Sequence, residues 1–454
     1  MSKAVDQESL GSLHHKNHLL LLPQEGKSLF LTLCLAFLEN FNLVLYAHLA
    51  ILLIPRFFGI PLLHKSSLAL FSLCVAYMVR PLSAPIFGYL GQRSHKHLMI
   101  VSGSVMGVTM LTMGCLFSDT QASSVLAFCI CVMRLLQGLC SMNESIAAKV
   151  LTINLTQHYF SMNFLSILPD FVVGLASLAV FGLSIIAVSF DVISGWRLLF
   201  FLGFIFSILS LFIRLKLLKT GVFLESMHVK KDTKATPVKP YAVSRILALQ
   251  EKDYLYSLNY WYYAGIEALS CVAWYFSLCV CTDFLIDLGM NTVEIMRHNF
   301  VVFSLFLLFM FFTGYVSVSI DPFKLLKRRY IAGLCVVLLM FVCGKIFYHH
   351  QVFIFAVQLF ILCAFHTSTP ILGRVISSFP IKERCAHIGS AYTISQALMY
   401  GMIMMGFFML HVVWSDVGVV FLLLCVGIIG LYCAYHFVPI SDPDALEVFD
   451  SEVE

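Results

Sequence analysis

The sequence predicts an all-α polytopic membrane protein, with about twelve transmembrane helices in two six-helix bundles. Three observations carry that expectation. Sixty per cent of the 454 residues are apolar, 12% carry charge and the mean hydropathy is +0.90, whereas an ordinary soluble chain is about 45 to 50% apolar and about 25% charged. The apolar residues gather into about twelve runs, each close to the roughly 20 residues that a helix needs to cross a bilayer. The runs are continuously apolar and do not alternate with period two, which argues against a transmembrane barrel.

Taken in order, the polar stretch 1–27 reads as a cytoplasmic amino-terminal tail. Six spans follow within 28–218, at 28–54, 66–90, 98–117, 123–148, 160–190 and 196–218. Residues 219–253 are the longest hydrophilic stretch, a basic cytoplasmic linker with Lys230, Lys231, Lys234, Lys239 and Arg245. Six more spans fill 254–438, at 254–281, 298–320, 330–347, 352–374, 386–411 and 413–437. Residues 439–454 form an acidic cytoplasmic tail. Sidedness supports the threading: with the amino terminus inside, roughly 22 Lys and Arg residues lie in the cytoplasm and about five outside, namely Arg56, Lys65, Arg197, Arg297 and Lys345. Both termini are therefore expected in the cytoplasm, and the protein in the plasma (inner) membrane. No short apolar core with a small-residue cleavage site opens the chain, so no cleaved signal peptide is expected.

Several chemistries are excluded by spacing. The 15 cysteines sit almost entirely in apolar runs, where Cys acts as a small hydrophobe. Cys129 with Cys131 and Cys279 with Cys281 suit neither zinc nor a redox pair. No nucleophile with its base and no phosphate loop marks an enzyme. No metal, cofactor or nucleic-acid partner is expected. The expected partners are a small-molecule substrate, protons and the lipid bilayer, and the protein is expected to be a monomer.

Ionisable groups inside lipid-spanning helices are costly unless they face a partner or a wet cavity, so they mark where function lies. Glu39 stands about 11 residues into the first span, roughly 16 Å from its inner end, near Asn40, Asn42 and His48. Arg80 lies on the second span, Arg134 and Glu144 on the fourth, and Asp170 beside Pro169 on the fifth. Glu267 is central in the seventh, beside Trp261, Tyr262 and Tyr263. His366, Gln396 and Tyr400 add polar groups on spans ten and eleven. From Arg80 to His97 an apolar segment is expected to end in a short cationic turn, where Gly88 and Gly91 permit close helix contact and Arg93 and Lys96 fix sidedness.

These residues, in order, resemble the metabolite-proton symporter branch of the major facilitator superfamily, which includes proline/betaine, alpha-ketoglutarate, citrate and shikimate carriers. Glu39, Phe41, Tyr46, Phe57 and Phe58 match its first-span motif, and Arg80, Pro81, Phe87, Gly88 and Arg93 its second. Arg134, Gln137, Gly138 and Glu144 match the fourth-span signature. Trp196, Arg197, Phe200, Arg214 and Phe223 match the sixth span, and Phe379, Pro380, Arg384, Gly389 and Tyr392 the approach to the eleventh. The chain departs from the pattern where the family's first-span aspartate is Asn42 and its inner-loop aspartate is Gln92. The resemblance implies alternating access by two bundles about a central site, transporting a zwitterionic osmolyte, amino acid or carboxylate with proton coupling. Glu39, Glu267 and Asp170 are the expected proton carriers. Asn42, Arg134, Tyr263, Gln396 and Tyr400 are expected at the substrate cavity, and Arg80, Gly88, Gln92, Arg93 and Glu144 at a gating loop and helix end. An uncoupled facilitator or exchanger is the alternative within transport, favoured by Asn42. A non-transporting sensor on the same fold is the alternative of another class.

Overall fold

The computed structural model describes residues 23–58, 67–116, 124–141, 143–154, 164–190, 195–217, 243–347, 350–366, 369–379, 384–410 and 415–439. Among them the regular structure is entirely helical: fifteen α-helices and one π-turn. The first half holds α1 (Pro23–Phe58), α2 (Ser67–Met78), α3 (Arg80–Cys115), α4 (Ser124–Cys140), α5 (Asn143–Asn154), α6 (Leu168–Phe190) and α7 (Gly195–Leu217). The second holds α8 (Val243–Tyr275), a π-turn (Phe276–Val280), α9 (Cys281–Asp287), α10 (Thr292–Ser319), α11 (Pro322–Phe347), α12 (Gln351–Phe365), α13 (Thr369–Ser377), α14 (Arg384–Leu410) and α15 (Ser415–His436).

Within the first half, α1 packs on α5, α6 and α7, α3 on α7 and α4, and α2 on α4. Within the second, α8 packs on α14 and α15, α11 on α12 and α15, and α10 on α12. Each half thus closes on itself, and the two meet along two main seams, α6 against α10 and α2 against α14. Tight approach sets the spacing inside a half. A Cβ on Gly138 of α4 would stand 2.1 Å from the Ala76 carbonyl oxygen of α2, so only glycine lets those backbones touch.

Among the described residues, five helical stretches are long and apolar enough to cross a membrane unaided: 26–50, 168–190, 195–217, 255–287 and 292–319. Apolar side chains such as Phe128, Phe190, Leu308 and Val342 point outward, as a lipid-facing surface requires. The fourth span is broken, because α4 ends at Cys140 and α5 begins at Asn143. The tenth is broken likewise, with α12 ending at Phe365 and α13 beginning at Thr369. These are corresponding positions of the two halves.

Three expectations change. The cationic turn expected within Arg80–His97 is helical, since α3 runs unbroken from Arg80 to Cys115 with Pro81 in its first turn. Pro is favoured at a helix start, and Gln92, Arg93 and Lys96 are good helix formers. The break falls one residue earlier, at Val79. The helix of the seventh span starts ahead of the span: α8 begins at Val243, within the expected linker, and its membrane-length apolar stretch at residue 255. The seventh and eighth spans also run closer together than drawn. A glycine-ended turn stops α9: Gly289, at φ 80°, donates to Ile286 O at 2.8 Å, and Met290 to Leu285 O at 3.2 Å, a Schellman motif. Asn291 then caps α10, accepting from Glu294 N at 3.0 Å while its own N–H donates to Glu294 Oε2 at 2.9 Å, a reciprocal capping box.

Candidate functional site

Where the two halves meet, a closed cavity of about 50 Å³ is lined by Glu39 and Asn40 of α1, Arg80 of α3, Ser141 at the break in the fourth span, Lys149 of α5, Asp170 of α6 and, from the other half, Tyr392 of α14. It has room for one or two waters. A larger open groove of about 490 Å³, between Tyr256, Tyr260, Trp261 and His387, has no Asp, Glu, Lys or Arg among its described lining residues.

Lys149 is the residue that the sequence reading missed. It is 8% exposed, its Nζ lies 2.8 Å from Asp170 Oδ1 and 5.1 Å from the centre of the Tyr392 ring, and its charge is also within reach of Glu267. A buried ammonium needs such partners, and here they come from both halves. A fourth span ending at Ala148 leaves Lys149 just beyond it, where a lysine is expected in the cytoplasm. The signal was the apolar run that continues beyond it, Val150 to Ile153.

Glu39 is buried at 5% exposure and forms an ion pair with Arg214 of α7. The Arg214 guanidinium also donates to Ser102 Oγ at 2.9 Å. Glu39 Oε2 has no hydrogen-bond partner among the described residues. Asp170 has the more open carboxylate, with 21% side-chain exposure against 6% for Glu39. Arg80 crosses between the halves: its Nη1 donates to Gln396 Oε1 of α14 and its guanidinium sits 4.5 Å over the Tyr77 ring. Tyr77 in turn stacks on Tyr400 at 4.4 Å.

Asn42 and Arg134 lie off this cavity. Asn42 Nδ2 donates to Ser207 Oγ at 2.9 Å, joining α1 to α7. Arg134 donates to the carbonyl oxygens of Leu43 at 3.0 Å and Ser72 at 3.4 Å, and to Gln137 Oε1 at 3.0 Å. It thereby ties α4 to α1 and α2 inside the first half. A guanidinium in lipid is satisfied wherever carbonyls can be reached, and here both carbonyls belong to the first half. Tyr263 and Glu267, one turn apart on α8, are both buried in the second half. Residues 84–99, Gly88 among them, are described as helical backbone alone, so the side chains of Gln92 and Arg93 lie outside the described residues, as does that of Glu144. No group of three or more metal-ligating side chains forms among the described residues.

A second polar centre lies within the second half, at the π-turn. Gln358 of α12 donates through Nε2 to Ser277 O and Oγ, both at 3.0 Å, and to Asn299 Oδ1 at 2.9 Å. Its Oε1 is 2.9 Å from His298 Nε2. His366 packs on Trp274 at 4.9 Å and its Nδ1 is 3.0 Å from Ser270 Oγ.

The architecture matches solved structures along almost its whole length. The proton:xylose symporter XylE bound to 6-bromo-6-deoxy-D-glucose superimposes with TM-score 0.65 at 13% identity, covering 96% of this chain and all of that one. A D-xylose-proton symporter gives 0.63 at 15% identity, covering 90% of this chain and 97% of that one. A double-tryptophan variant of XylE gives 0.66 at 16% identity, with 95% and 99% covered. No family model and no curated relative matches the sequence. At this identity the likeness defines the fold: the chain is an all-α, multi-pass membrane protein of the major facilitator architecture.

Proposed function

We propose that the protein is a secondary active transporter that imports a small polar metabolite by alternating access, coupled to protons, from a plasma (inner) membrane with both termini in the cytoplasm. The observation that supports this best is the charged cavity at the junction of the halves, beside a broken span that has its counterpart at the corresponding place in the other half. Discontinuous spans in matching positions are the usual setting of a transporter's central site. A carboxylate facing both a lysine and a cavity has what a proton carrier needs: a charged partner in one state and access to water in another. Asp170, opposite Lys149, fits that role better than Glu39, because Arg214 holds Glu39 and an arginine does not give up its proton. Glu267 approaches Lys149 from the second half and is the other carrier. Gln396 and Tyr400 serve the seam, and Arg134 and Asn42 hold the first half rigid.

Purified protein in sealed vesicles tests this reading. An inside-alkaline pH gradient should drive accumulation of a solute from a panel of osmolytes, amino acids, carboxylates and sugars. Asp170→Asn should abolish uphill accumulation and retain solute exchange. Equal accumulation by Asp170→Asn would remove that residue from coupling. Flux indifferent to the gradient would make the protein a facilitator, and binding with no flux would make it a sensor.

A further inference from the structure

His48 is a buried polar side chain that the cavity and its ion pairs leave unused. It stands on α1 beyond Glu39, about 14 Å further along the helix, and is 5% exposed. Neither ring nitrogen has a hydrogen-bond partner among the described residues. The rings around it come from both halves: Phe181 of α6 at 3.9 Å between centres, Trp274 of α8 at 6.1 Å and Phe303 of α10 at 6.4 Å. Those rings also hold one another, Trp274 edge-on to Phe303 at 4.9 Å and Phe181 beside Phe303 at 5.4 Å. The seam is thus closed here by an aromatic plug with an imidazole among its rings. The ionisable groups on the surrounding elements are engaged elsewhere. On α1 itself Glu39 pairs with Arg214, and Asp170 of α6 pairs with Lys149. His298 of α10 meets Gln358, Glu267 of α8 lies about two turns back from Trp274 and acts on Lys149, and His366 packs on Trp274 and meets Ser270.

A buried imidazole with neither nitrogen bonded is costly even when neutral. An imidazolium needs an acceptor for each of two N–H groups, and the rings offer none. Aromatic faces attract a cation, but they stabilise it by far less than the loss of its water costs. Water reaches both nitrogens only where the halves have moved apart. We propose that His48 is a proton-operated latch on the seam: it stays neutral while the aromatic plug is shut, and taking up a proton holds the plug open. The plug lies further along α1 than the charged cavity, so acid loosens the seam on the side of the cavity away from the amino-terminal end of that helix. The parted conformer binds the proton and the closed one does not, so a falling pH favours parting. An exposed histidine titrates at about pH 6.5, which makes the open fraction about tenfold larger at pH ~5.5 than at pH ~7.5. The latch belongs to the junction of the halves and operates whether or not the protein moves a solute.

Acrylamide quenching of Trp274 tests this in the purified full chain, in detergent micelles and without solute, with Trp196, Trp261 and Trp414 replaced by phenylalanine so that Trp274 alone reports. The Stern–Volmer constant should rise as the pH falls from ~7.5 to ~5.5, following the open fraction, and should drop again on neutralisation. His48→Phe keeps a ring in the plug and removes both orphaned nitrogens, so it should hold the constant low at either pH. His48→Leu should do the same and serves where the phenylalanine variant does not fold. His366→Gln takes the other imidazole from Trp274 and should leave the rise intact. Quenching indifferent to pH, a rise that survives in folded His48→Phe or His48→Leu, or a rise abolished by His366→Gln would overturn the latch. None of these readings involves flux, so the vesicle assay of coupled uptake stands or falls separately.

Discussion

The two halves share one architecture but bury different kinds of polarity. In the first, the cavity is flanked by ion pairs, Glu39 with Arg214 and Lys149 with Asp170. In the second, the network around Gln358 is composed of amides, a hydroxyl and an imidazole. Ionic pairs lose much when one partner goes, because the survivor is stranded without water. Neutral networks lose less, since a deserted buried neutral group costs about 1–3 kcal/mol against about 3–5 for a stranded charge. The ion-paired centre is therefore the electrostatically committed one and the Gln358 network the more adaptable, while the second half carries its buried charge elsewhere, at Glu267 and Arg329.

The contrast breaks most sharply at Glu39. Glu39→Gln takes the counter-charge from buried Arg214, which keeps its hydrogen bond to Ser102, and should destabilise the fold by about 3–5 kcal/mol, measured by reversible unfolding in mixed micelles. Adding Arg214→Met should recover much of that loss, and a double variant no better than the single would remove the pair from the argument. Asn299→Leu tests the other half: it takes one acceptor from Gln358 Nε2 and should cost about 1–3 kcal/mol in the same assay. A loss as large as that of Glu39→Gln would erase the distinction. The seam itself gives the smallest effect. Tyr400→Leu keeps most of the buried apolar volume but removes the stack on Tyr77, and should cost about 0.5–1.5 kcal/mol, read more clearly as faster labelling of a cysteine placed at the cavity than as a change in unfolding.

Much of the fold is legible in the sequence because lipid imposes a simple rule: a run long enough and apolar enough becomes a helix. Glu39, Arg80 and Asp170 stand out by the same rule, being charges where charges are expensive. Lys149 escapes it because a lysine beside a span end reads as a cytoplasmic anchor, and only tertiary packing shows the helix carrying on past it. Arg214 is hidden in the same way, four residues from the drawn end of its span. Arg134 fails in the opposite direction. It is as conspicuous as Glu39 in sequence, but which carbonyls lie within reach of a long side chain depends on three helices at once. The Arg80–His97 stretch fails because glycines and cations mark a loop only on average, and a proline in the first turn can instead open a helix.

The π-turn at Phe276–Val280 has one more effect on the chain. Its i→i+5 hydrogen bonds take in one residue more than the α-helical i→i+4 pattern, and one residue is about 100° at 3.6 per turn, so α8 and α9 are out of phase by about a quarter of a revolution. A stripe traced along α8 therefore does not continue down α9, and a wheel projected through the whole seventh span blurs two distinct faces into one.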